Sequence, residues 1–445
     1  MASTWRPGST VALASDLLTA IITAVRDRSN DLVDLTRSLV NCRTDSQTAG
    51  NADYAPEATR CQDLVARFLA DSGLEVQQWV EEPRYPVTAG RLPGSGGGQS
   101  LAINGHIDVV PVGDTAAWLH DPWAGEIAEG KLWGRGATDM KGGVAAGMMA
   151  ARVLRDLGVP LRGDLWLHVV ADEEVVGQST RRLIERLPRV DAVINAEPTD
   201  LRIMPTEGGL VHMRIEVEGR ESHAGNRYAS IHAGGRGDMA GINAIERLLK
   251  IVNGLAELER EWAVYRSHPM LPAGFNSIMP GVIAGGPGGG QDGQLNLISN
   301  PGTSPNYASV EYNIWWLPDE SFESIRDEIE RVVAAICETD IWLRAHRPVF
   351  TWKLRGIYFP AVDTPPDHPF IDHVREALVA VGVEPVTEAF TAASELAWYA
   401  EQGIAGTIFG PGRIAQAHSP NEYVEIEQLV TACTVMAIAA ADWCA

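Results

Sequence analysis

Three apolar runs in the first half of the chain each end on an acid or a histidine. SLAINGHIDVV carries His106 and Asp108, DLWLHVVADEE carries Asp172, Glu173 and Glu174, and RVDAVINAEPTD carries Glu197. Runs this short and this apolar read as strands buried on both faces, the mark of a parallel sheet covered by helices. Between the first two lies GGVAAGMMAARVLRDLG, a helix rich in small residues. Strands alternating with helices predict an α/β fold with mostly parallel strands. Ligands of such sheets gather beyond the carboxyl ends of the strands, where these acids fall.

The rest of the chain falls into place around that core. Helical spacing of Leu, Ile and Val runs over residues 12–41 and 57–72, followed by a strand at GLEVQQWV. After EGG at 207–209 the pattern changes. GLVHMRIEVEG alternates as a strand, GDMAGINAIERLLKIVNGLAELEREW is a long amphipathic helix, and NSIMPGVIAGG and ASVEYNIWWLP are strands. FESIRDEIERVVAAI and PVFTWKL complete a β-α-β-β-α-β unit. The α/β pattern resumes with a helix near 369–381 and the strand GTIFGPG. The expected domains are therefore 1–207 with 357–445, and an insertion at 208–356. The glycine-rich AGGPGGGQDG has no Lys-Ser/Thr helix start after it, so a strand connection is expected there, not a phosphate loop.

With 445 residues, two domains or one large domain with an insertion is the starting expectation. A net charge of −22 argues against nucleic acid or an anionic membrane as partner. The five cysteines, Cys42, Cys61, Cys337, Cys433 and Cys444, are scattered and never spaced as C-x-x-C. They fit a reducing cytoplasm better than a disulfide framework or thiolate zinc site. No basic start precedes a long apolar run, and no stretch approaches 18 uninterrupted apolar residues, so neither a signal peptide nor a membrane span is expected.

Asp139 in GRGATDMKGG and His418 in AHSPNEY join His106, Asp108, Glu173, Glu174 and Glu197 as candidates to converge. Carboxylates cluster tolerably when divalent cations neutralise them, and histidines mixed with carboxylates suit zinc or another borderline metal. In the H-x-D of the first strand both side chains face one way, so Asp108 can accept a hydrogen bond from the His106 nitrogen that holds no metal. Adjacent Glu173 and Glu174 cannot both point the same way, so one can ligate while the other moves a proton. Each residue has a plainer reading: a strand histidine is commonly a bonded core residue, Asp139 could cap a helix, and Lys141 is expected to be a surface or capping charge. It is the ordered set that outweighs them.

That set resembles the di-zinc aminoacylase and carboxypeptidase family, which includes acetylornithine deacetylase, succinyl-diaminopimelate desuccinylase and glutamate carboxypeptidases. The stretches that carry it are NGHIDVVPVGD, DPWAGEIAEGKLWGRGATDMKGG, ADEEVVG, NAEPTD, ESHAG and FGPGRIAQAHSPNEYV. The resemblance implies a metallohydrolase catalytic domain with an inserted lid that forms a homodimer. It implies two divalent metals, zinc first with cobalt or manganese as alternatives. Asp139 would bridge them, one held also by His106 and Glu197, the other by Glu174 and His418. Glu173 would be the general base, and His223 of ESHAG a lid histidine that reaches the partner subunit's site. A cis peptide between Asp139 and Met140 is implied too, as are hinges near Gly208–Gly209 and Arg355–Gly356. Where many relatives carry a carboxylate-gripping Arg, this chain reads YNIWWLPDE with Trp315. The expected activity is hydrolysis of the amide of an N-acylated small molecule. A dipeptidase or carboxypeptidase using the same site is the alternative, and a non-catalytic metal-binding dimer is a third reading.

Overall fold

The computed structural model describes residues 13–46, 54–82, 85–175, 177–227, 241–288 and 300–445. The chain forms two compact units, one running up to Glu207 and resuming at Val362–Ala445, the other spanning Gly208–Ala361.

The first unit is built on a sheet whose strands follow the order Glu75–Glu82, Tyr85–Leu92, Leu165–Val170, Leu101–His106, Ala192–Asn195, Ala405–Ile408, Ile203–Glu207 and Val362–Asp363; Thr387–Phe390 also pairs with Ile203–Glu207. The four strands from Leu165–Val170 to Ala405–Ile408 are parallel to one another. Antiparallel pairings flank them. The three apolar runs of the sequence occupy this centre and are buried at every strand position. Alternate residues Leu101, Ile103, Leu165, Leu167, Val169, Ala192 and Ile194 enter one core together with helices Gly142–Asp156 and Ile426–Trp443. His168 points to the opposite face, where its Nδ1 lies 2.8 Å from the Tyr399 hydroxyl of helix Leu396–Glu401. Burial drives that imidazole down to about 3, so it is a neutral core residue.

The small residues of Gly142–Asp156 have a steric purpose. A Cβ on Gly143 would lie 2.0 Å from the Ala196 carbonyl oxygen, and one on Gly147 would lie 2.7 Å from Ile103 Cγ2. Their absence lets the helix press onto the sheet and brings the turn preceding it to the carboxyl ends of the strands. Helix Ile426–Trp443 is, among the described residues, the one helix long and apolar enough to cross a membrane; it is 72% buried against the rest of the protein. The stretch over 12–41 divides into two helices, Ser15–Asp27 and Ser29–Val40, at Arg28. A hairpin that the sequence did not announce, Glu126–Ala128 with Lys131–Trp133, pairs with Tyr423–Glu425 beside the His418 loop.

The second unit follows the β-α-β-β-α-β order of its sequence. Its antiparallel sheet runs Ser277–Gly286, Tyr307–Trp316, Gly209–Glu218, Val349–Trp352, and helices Ala244–Tyr265 and Phe322–Glu338 pack against it. Tyr358–Phe359 pairs with Leu210 and Val211, so residues 357–361 belong to this unit and the return comes at Val362, later than the sequence suggested. The second half of the glycine-rich stretch, 289–293, lies outside the described residues.

Gly143→Ala is expected to destabilise the protein by about 2–3 kcal/mol, since the methyl meets a backbone oxygen that cannot swing away. Gly281→Ala, where the nearest atom to the new methyl is Glu311 O at 3.9 Å, is expected to stay within about 0.5 kcal/mol of wild type. Urea unfolding of both variants measures the contrast.

Candidate metal centre

The parallel strands deliver their ends to one place. His106 closes its strand, Glu173 and Glu174 follow Leu165–Val170, and Glu197 stands two residues beyond Ala192–Asn195. Asp139 comes from the irregular turn Ala137–Lys141, and the peptide joining it to Met140 is cis. His418 comes from the loop after Ala405–Ile408 and adopts a left-handed backbone, φ 62°. His106 Nε2 lies 3.3 Å from Asp139 Oδ1 and 3.3 Å from Glu197 Oε1. His418 Nε2 lies 3.3 Å from the other Asp139 oxygen, Oδ2, and 3.2 Å from Glu174 Oε2. Asp139 thus offers one oxygen to each histidine. Around a tetrahedral ion with bonds of about 2.0–2.2 Å, neighbouring donors sit about 3.3–3.6 Å apart. Both clusters have that spacing, and their nitrogen and carboxylate donors suit a borderline divalent cation. Asp139 caps no helix, because its carboxylate is spent on the two histidines.

Asp172, Glu173 and Glu174 part company. The Asp172 carboxylate accepts from the backbone N–H of Gln178 and Ser179, closing the start of helix Gln178–Arg186. Glu174 turns to His418. Glu173 Oε2 comes no nearer than 3.8 Å to His106 Nε2, farther than Asp139 or Glu197. Its donor atoms still fall within 4.8 Å of those of His106 and Glu197, so distance alone would admit it as a third ligand of that cluster. The Asp139 oxygen lies half an ångström closer to the same nitrogen.

Asp108 differs in detail from the expectation. His106 Nδ1 lies 3.0 Å from the main-chain oxygen of Asp108 and 3.5 Å from its carboxylate. The carboxylate accepts instead from the Ser46 hydroxyl and from the N–H groups of Glu173 and Glu174. The ring is therefore oriented by a carbonyl, and the Asp108 side chain pins the backbone of the two glutamates. Lys141 is the clearer correction. It is fully buried, its Nζ donates to the Cys42 carbonyl at 2.8 Å, and burial lowers its pKa. The close-packed turn that carries Asp139 draws its neighbour inward, which the charge alone did not foretell.

Burial and crowding govern the electrostatics. Desolvation pushes Glu174 and Glu197 up to about 7, with the Asp139 charge adding to it, and raises Glu173 well above the usual carboxylate range. His106 is raised despite burial, which favours its neutral form, because Asp139 and Glu197 face it. Hydrogen bonds to Asp139 and Glu174 lift His418 to about 10. Crowding of this kind favours taking up positive charge, and divalent cations bound there would compete with protons for the same atoms.

Glu422 and Arg135, which sequence reasoning passed over, form a buried ion pair beside Asp139 at 2.5 Å. Their only sequence signal was a charge in each of the two motifs, GRGATD and SPNEY, that carry a candidate ligand. His223 belongs to the second unit, where it is exposed and its Nδ1 accepts from Gly225 N–H. Trp316 is buried in that unit's core, while Trp315 is half-buried and meets Phe275 edge-on with centroids 5.3 Å apart.

Known proteins are similar to this chain, some in sequence and others in fold alone. The chain is 33% identical over 434 residues to N-formyl-4-amino-5-aminomethyl-2-methylpyrimidine deformylase of Bacillus subtilis (strain 168), covering 94% of this chain and 96% of that one. A metallo-carboxypeptidase of the M20 family from Sulfolobus solfataricus superposes with a TM-score of 0.70 at 16% identity, over 93% of this chain and 99% of that one. The YXEP protein of Bacillus subtilis, described as a dinuclear metal binding peptidase, superposes with a TM-score of 0.65 at 17% identity, over 94% and 98%. Residues 102–442, which include every acid and histidine of the two clusters, match the peptidase family M20/M25/M40. The chain belongs to that family of hydrolases.

Proposed function

We propose that this hydrolase removes a small acyl group from the aminomethyl nitrogen of a heteroaromatic compound, using two divalent cations, zinc first, and Glu173 as general base. The observation that carries the reading is the division of the adjacent glutamates: Glu174 lies 3.2 Å from His418 while Glu173 stands off at 3.8 Å from His106. In this reading His106, Glu197 and Asp139 hold one cation, and Asp139, Glu174 and His418 the other. When bound, the two cations polarise the amide carbonyl and lower the pKa of a shared water. Glu173 takes the proton of the attacking water and returns it to the leaving nitrogen, which departs as the neutral amine. Asp108 keeps Glu173 in place through its N–H. His223 is assigned to the carbonyl oxygen, where negative charge develops in the transition state and a hydrogen-bond donor stabilises it.

The substrate class rests on two supports. The relative aligned over nearly the whole chain is a deformylase of an aminopyrimidine. Trp315, paired with Phe275, stands where many relatives carry a carboxylate-gripping Arg, and an indole favours a planar ring over a carboxylate. We further assign the second unit to homodimer formation. Strand Ser277–Gly286 is at the edge of its sheet, and Met279, Val282 and Ile283 on it are each more than half exposed. The five free, buried cysteines favour a reducing cytoplasm.

Turnover is expected to be highest with N-formyl or N-acetyl derivatives of aminomethyl-substituted heteroaromatic rings, and at least about tenfold lower with N-acyl amino acids. A chelator-controlled screen that includes dipeptides checks this; preference for dipeptides would replace the deacylase reading by the peptidase one. Glu173→Gln is expected to retain two metal equivalents by elemental analysis while kcat falls by about 10²–10⁴. Loss of a metal would show that ligand and base are interchanged. His223→Ala is expected to lower kcat at unchanged metal content, and mixing it with Glu173→Gln subunits to restore part of the activity. Unrestored mixtures that contain heterodimers would place the histidine's action within one subunit.

A further inference from the structure

We propose that Glu422 is the positioning residue that fixes the His418 loop to the Asp139 turn, and that the cation position shared by Asp139, Glu174 and His418 owes its affinity to this clasp. The inference rests on the ligand reading above. Glu422 is fully buried, and both of its oxygens are used. Oε1 accepts from the backbone N–H of Thr138 at 3.0 Å and of Asp139 itself at 3.1 Å. Oε2 meets Arg135 Nη1 at 2.5 Å. The guanidinium is held in turn by the Pro111 carbonyl at 3.3 Å and by the Trp118 ring, 5.2 Å from its centroid.

The loop is fastened from both sides of this carboxylate. The Glu422 carbonyl accepts from Gly134 N–H at 2.9 Å, and the Thr138 hydroxyl donates to the Tyr423 carbonyl. Asn421, at φ 62°, accepts from Leu119 N–H and donates to the Ala117 carbonyl. His418 needs such fastening. Its side chain is 55% exposed, so packing does not hold it, whereas His106 is buried at the end of a central strand. Four residues from His418, Glu422 grips the same turn whose carboxylate the histidine must meet. Nothing comparable is required on the other side of Asp139, where the sheet itself supplies the register. The two histidines therefore have different supports, His106 the parallel strands and His418 a loop fastened about the buried Glu422 carboxylate.

Glu422→Gln keeps the shape but sets an amide N–H₂ against either the guanidinium or the two backbone donors, and strands a buried charge on Arg135. The double variant Arg135→Met with Glu422→Met removes both charges, which spares the fold that penalty while still withdrawing the acceptor from Thr138 and Asp139. Metal-depleted full-length protein is titrated with Co²⁺ by calorimetry and by visible absorption, with His418→Ala and His106→Ala as references for the two positions. Both Glu422 variants are expected to bind one equivalent with wild-type affinity and a second about 10–100-fold more weakly, with the surviving spectrum matching that of His418→Ala. Two equivalents at wild-type affinity in the double variant would overturn the proposal, and so would equal weakening of both. If His418→Ala itself binds two equivalents as wild type does, the ligand reading fails first and the clasp with it.

Discussion

Charge repulsion at the sheet's carboxyl edge is the constraint around which the first unit is arranged. Asp108, Asp139, Glu173, Glu174 and Glu197 crowd a region where water is largely excluded, with two histidines facing them. Two unit charges 4 Å apart repel by about 4 kcal/mol at an effective dielectric of 20, which is comparable to the whole stability of many domains. Such a cluster persists only if positive charge enters it and if each side chain is denied the freedom to turn away. Asp108 ties down the glutamate pair, the Ala196 carbonyl and Gly143 hold the helix against the sheet, and the buried Glu422 and Arg135 stiffen the turn that presents Asp139. The acids are close because the surrounding backbone leaves them nowhere else to go.

Much of this was legible in the amino-acid order. The apolar runs that end in acids became the central parallel strands, because they are continuous, only about six residues long and bounded by turn residues, too short for buried helices. The β-α-β-β-α-β unit was equally plain from its alternation and its two amphipathic helices. The ligand candidates came from their motifs, and the structure gathers the five into two clusters joined at Asp139. The orientation of Asp108 was not legible: a period of two puts it on the His106 face but does not say whether its carbonyl or its carboxylate meets the ring. Nor was the burial of Lys141, which follows from packing between the Asp139 turn and the end of helix Ser29–Val40, segments about a hundred residues apart. The hairpin at 126–133 escaped notice because its strands are only three residues long and gain their stability from Tyr423–Glu425, near the other end of the chain.

The two units divide the labour that the sequence also keeps apart. Acids and histidines suited to cations lie in the first, on the stretches that are most typical of the family. Trp315 lies half-buried in the second, beside Trp316, which is committed to that unit's core. Each set of residues can therefore change without repacking the core of the other unit.

The strand Ala405–Ile408 lies inside the sheet, between Ala192–Asn195 and Ile203–Glu207, although about two hundred residues separate it from either in the chain. A polypeptide emerging from the ribosome therefore presents an unfilled slot in its main sheet, lined by apolar side chains, throughout synthesis of the second unit. At about 5–20 residues per second that interval lasts on the order of ten seconds or more. The second unit, continuous in the chain, can close during that time, whereas the first must wait for its remaining segment, Val362–Ala445. Truncation near the C-terminus is thus far more damaging than its length suggests: it removes His418, a central strand and the core helix Ile426–Trp443 in a single stroke.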